Sequence, residues 1–141
     1  MIGLASAHQT VRTFLLSLER TSGKKFFPQA GQIMYAPALE EALRKSPNQA
    51  VNKCGFFLQG DGPFEHYVYR LSMQTLLTYP EARTDDDYIR ALQHADDFVE
   101  KLNDRTVSGL GQLTRADGPS PFPNIGVLGI RIDFTIATIN A

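Results

Sequence analysis

Apolar and polar positions alternate through the last segment of the chain. Leu128, Ile130, Ile132, Phe134 and Ile136 recur with period two, and Arg131, Asp133 and Thr135 fall between them. That period predicts a strand with one buried and one polar face. Residues 66–79 repeat the pattern. Tyr67, Tyr69, Leu71, Met73, Thr75, Leu77 and Tyr79 share one face, and His66, Arg70, Ser72, Gln74 and Thr78 dominate the other, with Val68 and Leu76 as apolar exceptions. A strand of that length is long for a small domain, so its polar face either meets water or forms a wall against something polar. Residues 51–59 predict a third strand with Cys54, Phe56 and Leu58 on one side, ended by the turn signal Gly60-Asp61-Gly62-Pro63. Residues 105–115 suit a strand or hairpin arm carrying Val107, Leu110 and Leu113. Residues 116–124 hold three prolines and are expected to be irregular.

Helical spacing is equally distinct. Val11, Phe14, Leu15 and Leu18 recur at three and four residues, after a capping-box pattern from Ser6 to Gln9, and Gly23 marks the expected end. A second helix is expected over 85–102. Thr84 is its cap, Asp85, Asp86 and Asp87 lie by the unpaired amides of its first turn, and Tyr88, Leu92, Ala95, Phe98, Val99 and Leu102 form its packing stripe. Arg90, Asp96, Asp97, Glu100 and Lys101 then face solvent. Between these helices, residues 32–35 suit a short edge strand. Pro37 opens a short helix over 38–45 with Leu39, Ala42 and Leu43 inward and Glu40 and Glu41 near its positive end, and Pro47 stops it. The order predicts one α+β domain over residues 1–141, a mainly antiparallel sheet with helices packed against it.

Composition narrows the function. The formal charge of −1, from 14 basic and 15 acidic residues, gives no basic excess for a nucleic-acid surface. No apolar run reaches membrane-spanning length, and the first five residues lack the pattern of a signal peptide. A single cysteine excludes an internal disulfide framework and fits synthesis in a reducing cytoplasm.

Candidate chemistry is sparse. Three successive aspartates on a helix point in different directions, so 85–87 read as capping and solvated residues, with no metal site expected. Asp61 and Asp117 each precede glycine, as turn residues do, and Gly60-Asp61-Gly62 lacks the Lys-Thr that follows in a phosphate cradle. Gly126 and Gly129 suit a bend or bulge at the start of the last strand. Cys54 with His66 or His94 would make a Cys–His pair, but no spacing calls for one. No catalytic residue and no cofactor are expected. Arg70 and Arg131 on polar strand faces suit contacts with each other's neighbours, such as Asp133, across an antiparallel pair.

The order of elements resembles that of the tail terminator proteins of long-tailed bacteriophages, the gpU-like and minor-capsid-like group. The residues that carry it are the first helix with Val11, Phe14 and Leu18, the strand 54–60, the long strand 67–77, the helix 85–102 and the closing strand 130–136. The resemblance implies an α/β fold with a mainly antiparallel sheet, and a virion protein of the tail-neck region, made in the bacterial host cytoplasm. It implies a hexameric ring that caps the tail tube, stops polymerisation and offers a surface for the head connector or stopper, with DNA passing through and no enzymatic activity. The expected contacts with neighbouring subunits or the tube are Arg70, Gln74, Arg131 and Asp133, with Phe122 on an exposed loop. The Pro-rich stretch and short helix of residues 26–47 depart from the most compact members. A second reading is a head-side completion or connector protein of the neck, and a third is a small cytoplasmic enzyme built on Cys54.

Overall fold

The computed structural model describes residues 3–45, 51–65, 68–80, 82–122 and 127–139, with backbone alone at 42–45, 61–65, 68–70, 122 and 138–139. Helix α1 spans Leu4–Ser17 and buries Ala7, Val11 and Leu15, the stripe that its spacing predicts. It begins earlier than the capping-box pattern places it: Gly3 is the cap residue, and no side chain caps the end. Ser6 is therefore already helical and the predicted box does not form. At the other end the helix stops at Leu18, and Gly23 (φ +87°) lies beyond it, in the turn of a small ribbon where Glu19 bridges Lys25. The glycine supplies left-handed backbone to that turn instead of ending the helix.

A 3-10 turn at Ala30–Gln32 leads into strand β1 (Ile33–Tyr35), and helix α2 follows at Ala36–Lys45. Because α2 starts at Ala36, Pro37 occupies its first turn and Glu40 and Glu41 fall beyond that turn. Leu39 is completely buried, while the side chains of Ala42 and Leu43, also expected inward, lie outside the described residues. Strand β2 (Lys53–Glu65) and strand β3 (Val68–Tyr79) then pair antiparallel, from Lys53↔Thr78 to Glu65↔Val68. The predicted turn at 60–63 is instead strand, with the pairing shifted between Asp61 and Glu65. The extra length is taken up by a bulge, so glycine and proline there bend the ladder without ending it.

Helix α3 (Asp85–Leu102) carries the predicted cap, Thr84 Oγ1 accepting from the Asp87 amide at 3.1 Å. Its inward face is rotated from the expected stripe. Ala91, His94, Ala95, Phe98 and Leu102 are buried, whereas Tyr88, Leu92 and Val99 are half-buried. Strands β4 (Thr106–Val107) and β5 (Gly111–Phe122) form a hairpin, and β6 (Leu128–Ile139) closes the sheet. Residues 116–122 are thus strand, against expectation. β4 pairs with Gly111 and Gln112, residues 104 and 105 bond the backbone of Leu113, and Asn103 Oδ1 accepts from the Arg115 amide. Only from Ala116 onward is that edge of β5 uncovered among the described residues. Pro119 and Pro121 are tolerated on such an edge, aided by pairing shifts either side of Asp117. Phe122, expected on a loop, stands in β5 opposite Gly129, and the β3–β6 ladder passes Gly129 without the expected bulge.

The sheet is six-stranded in the order β1-β2-β3-β6-β5-β4, mixed because β1 is parallel to β2 and antiparallel elsewhere, so the fold is α+β. β3 and β6 lie at its centre and pair without a break from Val68↔Ile139 to Tyr79↔Leu128. Their apolar faces meet α1 and α3 in one core containing Phe27, Phe56, Phe98, Phe134, Met73 and Ile132. Each large side chain so buried contributes about 2 kcal/mol. On the opposite face α2 covers one end through a small cluster of Leu39, Leu76 and Val127 with Met34. Leu76 breaks the polar pattern of β3 because α2 sits over it.

Candidate functional site

Beyond that small cluster the outward face of β3, β6 and β5 is polar. The ladder sets Ser72 opposite Thr135, Gln74 opposite Asp133 and Leu76 opposite Arg131. On the other side of β6, Thr114 pairs with Thr135, Asp117 with Asp133 and Ser120 with Arg131. Ser72, Gln74, Asp133 and Thr135 are half-buried, and Arg131, Asp117 and Ser120 are exposed. Arg131 Nη2 donates to Gln74 Oε1 at 3.3 Å, a diagonal contact between neighbouring strands. Arg131 thus contacts a residue of β3, the strand that carries Arg70. One oxygen of Asp133, Oδ1, is buried without a hydrogen-bond partner among the described residues.

Gln74, Arg131 and Asp133 are therefore brought together on one surface. Arg70 is in β3, opposite Ala137, and Phe122 is in β5, but both side chains lie outside the described residues, as does His66 altogether. Asp117 joins the cluster and was missed, because Asp-Gly reads as a turn. Here its Oδ1 accepts from the Gly118 amide at 2.9 Å, and Arg115 Nη1 donates to the Gly118 carbonyl at 2.8 Å. Two carboxylates then stand directly opposite on β5 and β6, a pairing that favours a donor-bearing or cationic neighbour over solvent alone.

The other titratable group of note is internal. His94 is 6% exposed, and its Nδ1 is 2.7 Å from the buried Tyr79 hydroxyl. Phe26 and Phe27 present their rings to it at 5.1 and 5.5 Å in edge-on geometry. Burial first, then the Arg20 charge, pulls the imidazole down to about 4, against a smaller opposing effect of a hydrogen bond with the Phe26 backbone. His94 is thus a neutral core residue at pH 7. Its place one turn after Ala91 and one before Phe98 was the available signal. A cleft of 230 Å³ beside it is lined by Arg20, Asn52, Asp87 and Arg90 among others. The arginines there are engaged, Arg20 with Asp97 and Arg90 with Asp87.

Cys54 is completely buried, and burial pushes its thiol well above the usual range, the reverse of what a nucleophile needs. His8 stacks on Phe56 at 4.5 Å and is held below its ordinary value by burial and then Arg12. Among the described residues no three His, Cys, Asp or Glu side chains converge as metal ligands, and no helix is long and apolar enough to cross a membrane. No protein-family model matches this chain, and no curated protein matches it.

Proposed function

We propose that this chain is a structural protein of a phage neck, a tail terminator. Copies assemble as a ring on the end of the tail tube, stop its polymerisation and present a surface to the head-side connector. The observation that carries the reading is the long β3–β6 pair, one face packed on the helices and the other polar and only partly covered by α2. The element order that resembles tail terminators supports it. On this reading Gln74, Arg131 and Asp133, with Asp117, meet a neighbouring subunit or the DNA channel. The ends of a ring differ, so it binds the last tube subunits on one side and offers no second tube-like face for growth.

Complementation in a phage lacking the protein tests this directly. Overlong tails without heads are the expected phenotype, whereas tails of normal length lacking only heads would identify a connector instead. Arg131→Glu should weaken ring or tube binding at least tenfold, measured by light scattering with purified tubes. Arg90→Glu, which removes an exposed ion pair with Asp87, should leave binding within about twofold, since such pairs contribute little. Equal effects of the two reversals would remove the polar sheet face from the interface.

A further inference from the structure

Residues 18–27 leave α1, double back and cross α3 without joining the six-stranded sheet among the described residues. They hold themselves together by backbone bonds, Arg20 N–H to Lys24 O at 2.7 Å and Phe26 N–H to Leu18 O at 3.3 Å. Two side chains of α3, three residues apart and so on one face, fix them down. Asp97 is a polar clip: its Oδ1 accepts from Thr21 Oγ1 at 2.9 Å, and its Oδ2 accepts from the Thr21 amide at 3.2 Å and from Arg20 Nε at 3.3 Å. His94 is the second clip, its ring edge-on to Phe26 and Phe27, with Phe98 behind them at 5.5 and 6.1 Å.

We propose that residues 18–27 are an acid-released strap, a ribbon clipped to α3 by Asp97 and His94 that opens as a local unit while the sheet stays folded. Both clips weaken in the same direction. Burial raises the Asp97 carboxyl, but the hydrogen bonds from Thr21 and Arg20 hold it below its ordinary value. It therefore stays largely charged at pH 4, and His94 carries the release down to that pH. Below it, protonating Asp97 removes the charge that all three of its donors share. Protonating His94 places a cation among phenylalanine rings beside Arg20 and takes away the acceptor of the Tyr79 hydroxyl. The groups facing this site are Arg20 from the ribbon, Tyr79 from β3, Cys54 from β2, and Asp87, Arg90 and Asp96 from α3. Tyr79 and Cys54 are raised by burial and stay neutral in acid, and Asp87 is held by Arg90. Opening uncovers Phe26 and Phe27, which are buried in the closed form.

Amide hydrogen exchange of the full chain at pH 7 and pH 4, in 0 to 2 M urea and corrected for intrinsic rates, tests the proposal. A local opening exposes little surface, so the Arg20 and Phe26 amides should exchange with almost no urea dependence, while β3 and β6 amides follow the steep dependence of global unfolding. Ribbon protection should fall on the order of 100-fold between the two pH values, tenfold for each unit separating His94 from its ordinary value. Asp97→Asn should lower ribbon protection about threefold or more at pH 7 and leave its urea independence intact. His94→Gln, if folded, should flatten the acid loss. Ribbon amides that share the urea dependence of β3 and β6 at both pH values, or an Asp97→Asn protein with wild-type ribbon protection, would overturn it.

Discussion

Gly55 lies on the face of β2 that α2 covers, and a Cβ built there meets Ala36 Cα at 2.9 Å, Leu39 Cδ2 at 3.0 Å and Leu39 Cβ at 3.3 Å. The nearest atom is backbone and has no rotamer to change. Bringing it to an ordinary carbon contact of about 3.5 Å displaces the start of α2 by about 0.6 Å. Overpacking of that kind costs about 1–3 kcal/mol, and loss of the Leu39 burial, about 2 kcal/mol, sets a similar ceiling if α2 lifts instead. Gly55→Ala should therefore lower urea stability by about 2 kcal/mol, read from the midpoint by far-UV circular dichroism. Gly60→Ala is the control, because nothing lies within 4 Å of its added Cβ, and it should stay within about 0.5 kcal/mol of the parent. Leu39→Ala keeps the Cβ and does not move Ala36, so the double substitution should be less stable than Gly55→Ala alone. A Gly55→Ala protein as stable as the parent, or one rescued by Leu39→Ala, would refute this account of how α2 docks.

Thr84→Ala removes the acceptor of the Asp87 amide and should cost about 1 kcal/mol in thermal or urea unfolding. Gly118 has φ +88°, and a Cβ there collides with the Arg131 carbonyl, so Gly118→Ala should cost about 2 kcal/mol and loosen β5 amides before those of β3. Folded His94 titrates near 4 and its unfolded form near 6.5, so the unfolded chain binds more protons between those values. Its contribution is complete above pH 6.5 and is lost as pH falls to 4, about 3 kcal/mol in urea melts across that window. Native Cys54 should react with a thiol reagent only at the rate of protein opening, at least about 100-fold more slowly than in urea.

The strands with strict alternation, β3 and β6, and the helices with a cap or a regular stripe were legible in the sequence because burial on one face imposes a period. Leu76 and Gly55 were not, since their roles depend on α2 arriving from a distant part of the chain. Gly60, Pro63, Pro119 and Pro121 read as breakers because local propensity disfavours a ladder, yet bulges and an uncovered edge absorb them. Of the candidate surface, the polarity of Gln74, Arg131 and Asp133 was evident. The neighbouring Asp117 was hidden, since register between β5 and β6 is set by two pairing shifts that no local pattern records.

β6 follows every other described element along the chain, yet it lies between β3 and β5. As the polypeptide leaves the ribosome, the β2–β3 and β4–β5 hairpins emerge as separate halves, and each shows a bare strand edge until residues 128–139 arrive. Many of the sheet's long-range pairings wait for that last insertion, which slows folding and leaves a window in which nascent chains can pair with one another. The hazard falls at the polysome, where nascent chains with bare edges stand closest to one another.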